Sequence, residues 1–341
     1  MDRVRVGFIG AGGNTRLRHL PGFAGIQGVE LIAVANRSVD SAARVAEEFG
    51  IARVHSDWRE IVKAGDVDAV CIGTWPNTHA EMTCAALEFG KHVLVEARMA
   101  ASLAEAQAMA AAAAARPELV AQIVPSPITL EADAIIRNLW ESGSLGNPQH
   151  IRSDHATSAT LDAEALLSWR MDERISGINT MALGICYEPI QRWLAGDAEV
   201  TQARAEVVTS QRCDEQGNLH QVVIPEILSV NGRWGDAEFT MHQSSVEAGP
   251  AQCRYELAGD QATLRYDVNR RELIVDDRNG DSRQIDLPEL TEGGWAVEQE
   301  FIASIRSATP VERTNFATGL RYMKFTDAVW QAWSGAGPVV G

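Results

Sequence analysis

The chain has no basic excess, no paired cysteines and no long apolar run, and each absence removes a class of protein. Its 30 lysines and arginines stand against 46 aspartates and glutamates, a net charge of −16. Nucleic acid and anionic membranes both recruit a cationic face, so no nucleic-acid partner and no membrane is expected. Five cysteines, Cys71, Cys84, Cys186, Cys213 and Cys253, are odd in number and form no C-x-x-C pair. That argues against a disulfide framework or a zinc site and fits a reducing compartment. No apolar stretch reaches the roughly 20 residues of a membrane span. No basic stretch with an apolar h-region precedes Val4 either, so the expected location is the cytoplasm. No metal site is expected: His150 and His155 lie five apart in an extended run with no acidic partner at useful spacing.

What is present is an apolar fraction of 45% over 341 residues, enough for one large domain or two. The apolar run from Val4 to Ile9 leads straight into Gly10-Ala11-Gly12-Gly13-Asn14-Thr15. A second strand ends about 20 residues later at Val34-Ala35-Asn36-Arg37-Ser38. Strand, glycine turn, helix and strand in this order read as a dinucleotide site. Gly10 permits the tight turn, Gly12 lets bare backbone approach a pyrophosphate, and the following helix aims its N–H groups at that anion. Gly13 and Asn14 complete the loop, and Thr15 stands where a third glycine normally allows close helix–strand packing. NAD sites usually end the second strand with a carboxylate for the ribose 2′-hydroxyl. Here that position is the neutral Asn36, followed by Arg37 and Ser38, a set suited to a 2′-phosphate. The expected cofactor is NADP (NADPH).

From residue 4 to about residue 124, short β-branched runs at 31–35, 69–72, 92–96 and 119–124 alternate with helical patterns, which implies a parallel sheet with crossover helices. Ser102 and Glu105 form a capping box before an alanine-rich helix at 106–115. After Pro125-Ser126-Pro127, helical stretches at 130–141 and 175–194 surround a strand-like run at 149–158. From 200 to about 287, polar and apolar residues alternate between the turn signals Gln216-Gly217-Asn218, Asn231-Gly232, Gly259-Asp260 and Asn279-Gly280. Helices return at 295–306 and 315–333. The expected fold is α/β: a doubly wound Rossmann sheet over 1–124, then an α+β domain with a large, mostly antiparallel sheet over 125–341. Such a pair places a cleft for a small-molecule substrate between the domains. One broad face of the second sheet has few helices to cover it, so a homodimer or homotetramer is expected.

Five motifs occur in a fixed order: Gly10-Ala11-Gly12, Ile72-Gly73-Thr74-Trp75-Pro76-Asn77-Thr78-His79, Gly90-Lys91-His92-Val93-Leu94-Val95-Glu96, Trp169-Arg170, and Gly184 through Trp193-Leu194-Ala195-Gly196. This set resembles the Gfo/Idh/MocA oxidoreductases, which use NAD(P) mainly on sugars, cyclitols and related compounds. The resemblance implies that Thr74, Trp75, Asn77 and His79, with Glu96, line the nicotinamide side. It also implies that Trp169 and Arg170 reach back to the cofactor from the second domain. Each has a local reading beside this one: Asn77 as a helix N-cap, His79 bonded to nearby backbone, Trp169 as core.

Departures from the family pattern are as informative as the match. The family follows its glutamate with lysine and proline, the lysine being catalytic, but here the run is Glu96-Ala97-Arg98-Met99. The family's aspartate and, four residues on, its proton-relaying histidine fall on Ala182 and Cys186 in a gapless alignment of 176–196. Groups of this kind each contribute about 10²–10⁴ in rate, so losing three together implies a relocated donor or a reaction that needs none. On a continuous helix Asn179, Ala182 and Cys186 share a face, Tyr187 lies a quarter-turn away and Glu188 points opposite. The candidates are therefore Tyr187 as a donor whose pKa a nearby cation would lower, and Asn179 to orient a hydroxyl. Arg98 would bind an anion or polarise a carbonyl, with a salt bridge to Glu96 or a surface carboxylate as the alternative. His155, sharing a strand face with Ser153, is a candidate proton shuttle or a structural histidine. Cys186 reads as a small helix-packing residue, with no evident base to make it a nucleophile.

Together these readings point to an NADP-dependent oxidoreductase that moves a hydride between nicotinamide and a small polar carbonyl or hydroxyl compound, a sugar or sugar derivative, with a non-standard proton relay. Two alternatives stay open: an NAD(P)-binding sensor or interaction protein without turnover, and a redox-neutral enzyme that holds NAD(P) tightly.

Overall fold

Val4–Ile9 (β1) is buried almost throughout, as a central parallel strand covered on both faces must be. It is flanked by Val29–Ala35 (β2), Arg53–His55 (β3), Ala69–Ile72 (β4), His92–Val95 (β5) and Ala121–Ile123 (β6). All six are parallel in the order β3-β2-β1-β4-β5-β6, and the order reverses beside β1, where the glycine loop emerges. The computed structural model describes residues 3–289, 294–311 and 313–335. β3 was not anticipated: three residues, two of them Arg53 and His55, leave no apolar run to read.

The crossover helices start where side chains cap them. A π-turn at Thr15–His19 continues into Leu20–Ala24 (α1). Ser38 caps Val39–Phe49 (α2) and Asp57 caps Trp58–Lys63 (α3) by accepting first-turn N–H groups. Pro76–Glu88 (α4) follows β4, and Leu103–Ala114 (α5) carries the expected Ser102/Glu105 capping box.

The second part opens with Asp133–Glu141 (α6), Pro148–Ala156 (β7), Glu173–Ser176 (α7) and Leu183–Trp193 (α8). The helix expected over 175–194 is interrupted: Gly177 (φ 59°) and Met181 (φ 42°) adopt positive φ, and Ala182 is only the N-cap of α8. Next come Glu199–Glu206 (β8), Gln211–Cys213 (β9), Leu219–Gln221 (β10), Ile227–Trp234 (β11), Ala237–Ser244 (β12), Gln252–Gly259 (β13), Ala262–Asp267 (β14), Glu272–Asp277 (β15) and Ser282–Ile285 (β16). Eight of these strands form a sheet in the order β16-β15-β14-β13-β7-β12-β11-β8, antiparallel except where β7 meets β12. Asn231-Gly232, read as a turn, lies inside β11 at a register shift against β8, and a Cβ on Gly232 would come 3.2 Å from the Glu199 carbonyl carbon. One sheet face is apolar; the other carries Arg152, Arg254 and Arg265 among acidic residues, with Arg152–Glu256 at 3.8 Å and Arg254–Asp267 at 3.0 Å.

Val297–Ser307 (α9) and Phe316–Ser334 (α10) close the described chain. Their placement differs from the expected division at 124/125. Ala296–Leu320 joins the residues up to Pro125 in one compact unit, while Ser126–Trp295 and the chain from Arg321 form the other. Backbone pairing explains the return: Ile123 N–H donates to Thr314 O at 3.1 Å and Gln122 bridges to Asn315, which covers the free edge of β6.

Candidate functional site

In the first unit the glycine loop is held from below. Gly10 has φ 81°, and a Cβ there would meet Thr74 N at 2.7 Å and the Gly73 carbonyl carbon at 2.9 Å. Thr15 is buried, and its hydroxyl donates to Gly10 O at 3.3 Å. Close packing at the third-glycine position survives because the opposing residue is itself glycine: a Cβ on Gly73 would overlap the Thr15 hydroxyl. Around Gly12 an added Cβ would find only Gly73 O at 3.9 Å, and around Gly13 nothing within 4 Å. Bare backbone therefore faces open space, as a pyrophosphate-binding loop requires.

At the end of β2 the Asn36 carboxamide works inward. Its Oδ1 accepts from Ala11 N–H at 2.7 Å and its Nδ2 donates to the Ser41 hydroxyl at 2.9 Å. Ser38 is occupied as the α2 cap, accepting from Ser41 N–H at 3.3 Å. Arg37 is exposed, makes no ion pair among the described residues and lies over the Trp75 ring, 5.4 Å from its centroid.

The 74–79 segment is a turn into α4. Trp75, not Asn77, is the N-cap, with Pro76 in the first turn, and Asn77 is exposed. His79 is buried. Its Nδ1 lies 3.0 and 3.2 Å from Arg98 O and Met99 O, its Nε2 3.1 Å from Thr74 O, and burial holds its pKa below the ordinary value. It thus ties the β4 exit to the β5 exit, which is the local reading. The Ala97–Arg98 peptide is cis and the Arg98 side chain is buried.

Glu96, at the end of β5, anchors a cluster that sequence reasoning missed. His19 is fully buried, with Nε2 2.9 Å from Glu96 Oε1 and Nδ1 2.5 Å from Glu298 Oε1. The Asn14 side-chain amide donates to the same Glu96 oxygen. Burial alone would lower the His19 pKa, but the hydrogen bonds its ring donates to Glu298 and Glu96 outweigh it and lift it to about 9. Burial likewise pushes Glu96 up, yet its bonds to His19 and Asn14 carry it below the ordinary carboxylate value. The available signal was a histidine between Arg18 and Leu20-Pro21-Gly22 in a stretch that turns Leu20 and Phe23 into the core.

In the second unit the candidates fare unequally. Tyr187 is a core residue. Its ring stacks on Phe325 at 3.7 Å, its hydroxyl accepts from Ala198 N–H at 2.8 Å, and burial pushes its pKa up, opposite to the lowering by a nearby cation that was expected. Asn179 is off the helix, in the 177–182 turn, with Nδ2 donating to Ser176 O at 2.7 Å. Trp169 and Arg170 lie in a loop before α7, the guanidinium 4.4 Å from the indole centroid. Cys186 is buried and its carbonyl accepts from the Tyr255 hydroxyl at 3.0 Å.

His155 stands on the apolar face of the sheet, half-buried, in register with Cys253 on one side and Gln243 on the other. Burial lowers its pKa, so it is neutral near pH 7 and free to accept a proton. Beside it, Gln243 Oε1 and the Ser153 hydroxyl are buried without a hydrogen-bond partner among the described residues. Gln243 was also missed, although a glutamine continuing the inward series Phe239, Met241 is a readable break in an alternating strand.

Residues 4–123 match the Gfo/Idh/MocA family, described as an oxidoreductase family with an NAD-binding Rossmann fold. The match spans the Rossmann part of the chain. It is 28% identical over 260 residues to a levoglucosan dehydrogenase of Pseudarthrobacter phenanthrenivorans, covering 71% of this chain and 66% of that protein. It is 29% identical over 271 residues to inositol 2-dehydrogenase 3 of Saccharopolyspora erythraea, covering 77% and 72%. The crystal structure of an oxidoreductase domain protein from Kribbella flavida shares the fold, with a TM-score of 0.88 at 23% identity over 98% of both chains. The matched span contains the glycine loop and Glu96.

Proposed function

We propose that the chain is an NADP-dependent oxidoreductase acting on a small polar carbonyl or hydroxyl compound, a sugar or sugar derivative. The observation that carries this reading is the open glycine loop, with Gly12 and Gly13 unobstructed and Asn36 holding Ala11 from the side. When bound there, nicotinamide would donate hydride to a carbonyl or accept it from a hydroxyl compound. Gly10, Gly12, Gly13, Asn14 and Thr15 would hold the pyrophosphate, while Thr74, Trp75, Asn77, His79 and Glu96 would line the nicotinamide side. His155 is the group we assign to the proton, since it is neutral at pH 7 and has exposure left; Tyr187 is not retained. The unpartnered Gln243 oxygen and Ser153 hydroxyl beside it support a substrate that brings its own O–H groups. A homodimer or homotetramer through the open sheet face belongs to the same reading.

Choice of NADP rests on the absence of a carboxylate at Asn36 and on an exposed Arg37 already stacked over Trp75. A charge-assisted bond to a 2′-phosphate contributes roughly 1.5–3 kcal/mol. Arg37→Ala should therefore weaken NADPH by about ten- to a hundredfold and leave NADH nearly unchanged. Nicotinamide fluorescence titrations of both cofactors test this. A wild type that prefers NADH, or a variant that loses both equally, sinks the NADP assignment.

A further inference from the structure

We infer that His19 and Glu298 are positioning residues of the dinucleotide site: together they fix the Glu96 carboxylate against Asn14 and so set the conformation of the glycine loop. This rests on the cofactor reading above. The chain of contacts is continuous and confined to one unit: Glu298 to His19 Nδ1 at 2.5 Å, His19 Nε2 to Glu96 at 2.9 Å, and Glu96 to the Asn14 amide. Asn14 directly follows Gly12-Gly13, so displacing Glu96 frees the loop at the residue after its open glycines.

The local sequence makes room for this arrangement. A Cβ on Gly22, one turn beyond His19, would lie 2.8 Å from the Glu298 carboxyl carbon, so glycine there is what lets α9 bring its carboxylate in. Phe8, Phe23 and Phe301 pack edge to face beside it, with centroids 5.8 and 6.1 Å apart, and close an apolar wall around that part of the unit. A histidine so enclosed has no solvent to stabilise it and depends on its two carboxylates. Other titratable groups facing the cluster are Cys71 on β4, whose thiol burial pushes well above its ordinary value, and His79 on α4. Neither competes for the imidazolium, because Cys71 stays a neutral thiol and His79 is engaged with main-chain carbonyls.

Because the folded-state pKa is raised, the arrangement is complete below pH 6.5 and is lost as pH rises through about 9. NADPH affinity, followed by nicotinamide fluorescence from pH 6 to 10, should be flat at first and then fall about tenfold, the loss expected for one charge-assisted contact. Glu298→Gln should move that fall to lower pH, and His19→Gln should lower affinity about tenfold at pH 7 and flatten the profile. A merely structural role would lower the melting temperature of the variants and leave the shape of the profile alone. Histidine-selective NMR titration of the unliganded wild type gives a readout without cofactor and without a variant: the His19 ring should remain charged beyond pH 8. A His19 that titrates near 6.5, or variant profiles parallel to wild type, overturns the inference. A wild type that binds neither NADPH nor NADH while His19 titrates near 9 overturns the cofactor reading and the loop half of this inference, leaving only the charged triad.

Discussion

Each unit buries a cluster of one cation between two carboxylates, and the two clusters do different work. In the second unit the Arg192 guanidinium donates to Asp133 at 2.7 Å, to Glu188, and to the Thr129 hydroxyl at 2.8 Å. The Trp193 indole N–H and the Ser126 N–H add further bonds to Asp133 and Glu188, at 2.7 and 3.0 Å. The result staples α6 to α8 and to the 126–129 turn. In the first unit the cation is an imidazolium, and one of its carboxylates, Glu96, is 14% exposed and also holds the glycine loop. A guanidinium stays charged at any accessible pH, whereas an imidazolium can let go. The permanent cation therefore sits where only packing is at stake, and the titratable one sits beside the loop read as binding the cofactor.

Breaking the second cluster should give the largest effect. Arg192→Leu leaves the buried Glu188 and the half-buried Asp133 with no cation, and a buried carboxylate so stranded typically costs 3–5 kcal/mol. Urea denaturation should show that loss, with NADPH affinity of the remaining folded protein close to wild type. A loss under about 1 kcal/mol would mean the cluster relaxes toward water and is no staple.

A pH series sharpens the same comparison. A His19 pKa lifted from 6.5 to about 9 corresponds to a stabilisation on the order of 3 kcal/mol, present below pH 6.5 and withdrawn as pH passes through 9. Wild-type stability in urea should fall by about that much between pH 7 and pH 10, and the fall should be absent from His19→Gln. Arg192→Leu should keep it, since its missing cation never titrated. Equal alkaline loss in His19→Gln and wild type would assign the effect to other groups.

How far residues could be read in advance follows from whether their partners were local. The β1–loop–helix fingerprint, the Ser102/Glu105 capping box and the inward alternation of β11 through β15 depend on neighbours a few residues away, and the structure has them where expected. His19 depends on Glu298, 279 residues later, and the return of 296–320 to the first unit depends on the free edge of β6. No periodicity encodes either. The face argument over 175–194 assumed an unbroken helix. Gly177 hinted otherwise, but Met181, at φ 42° without being glycine, carried no such signal. Asn179 and Tyr187 were ranked by that geometry; Asn179 left the helix when it broke, while Tyr187 stayed on α8 and turned into the core.

Tyr187 offers the smallest and most discriminating change. As a core residue it contributes a ring stacked on Phe325, edge contacts to Phe239 at 6.0 Å, and one hydrogen bond from Ala198 N–H. Tyr187→Phe keeps the ring and deletes only the acceptor, so the expected cost is one net hydrogen bond, about 1 kcal/mol. Turnover and cofactor affinity should stay within about twofold of wild type, because no reacting group has been touched. His155→Ala should show the opposite pattern, near-wild-type stability with turnover down by about 10²-fold, as expected for loss of a general acid–base. If Tyr187→Phe instead lowered turnover by 10²-fold at unchanged stability, the phenol would have to reach the reacting atoms in some state of the protein. The assignment of the proton to the sheet face at His155 would then fail.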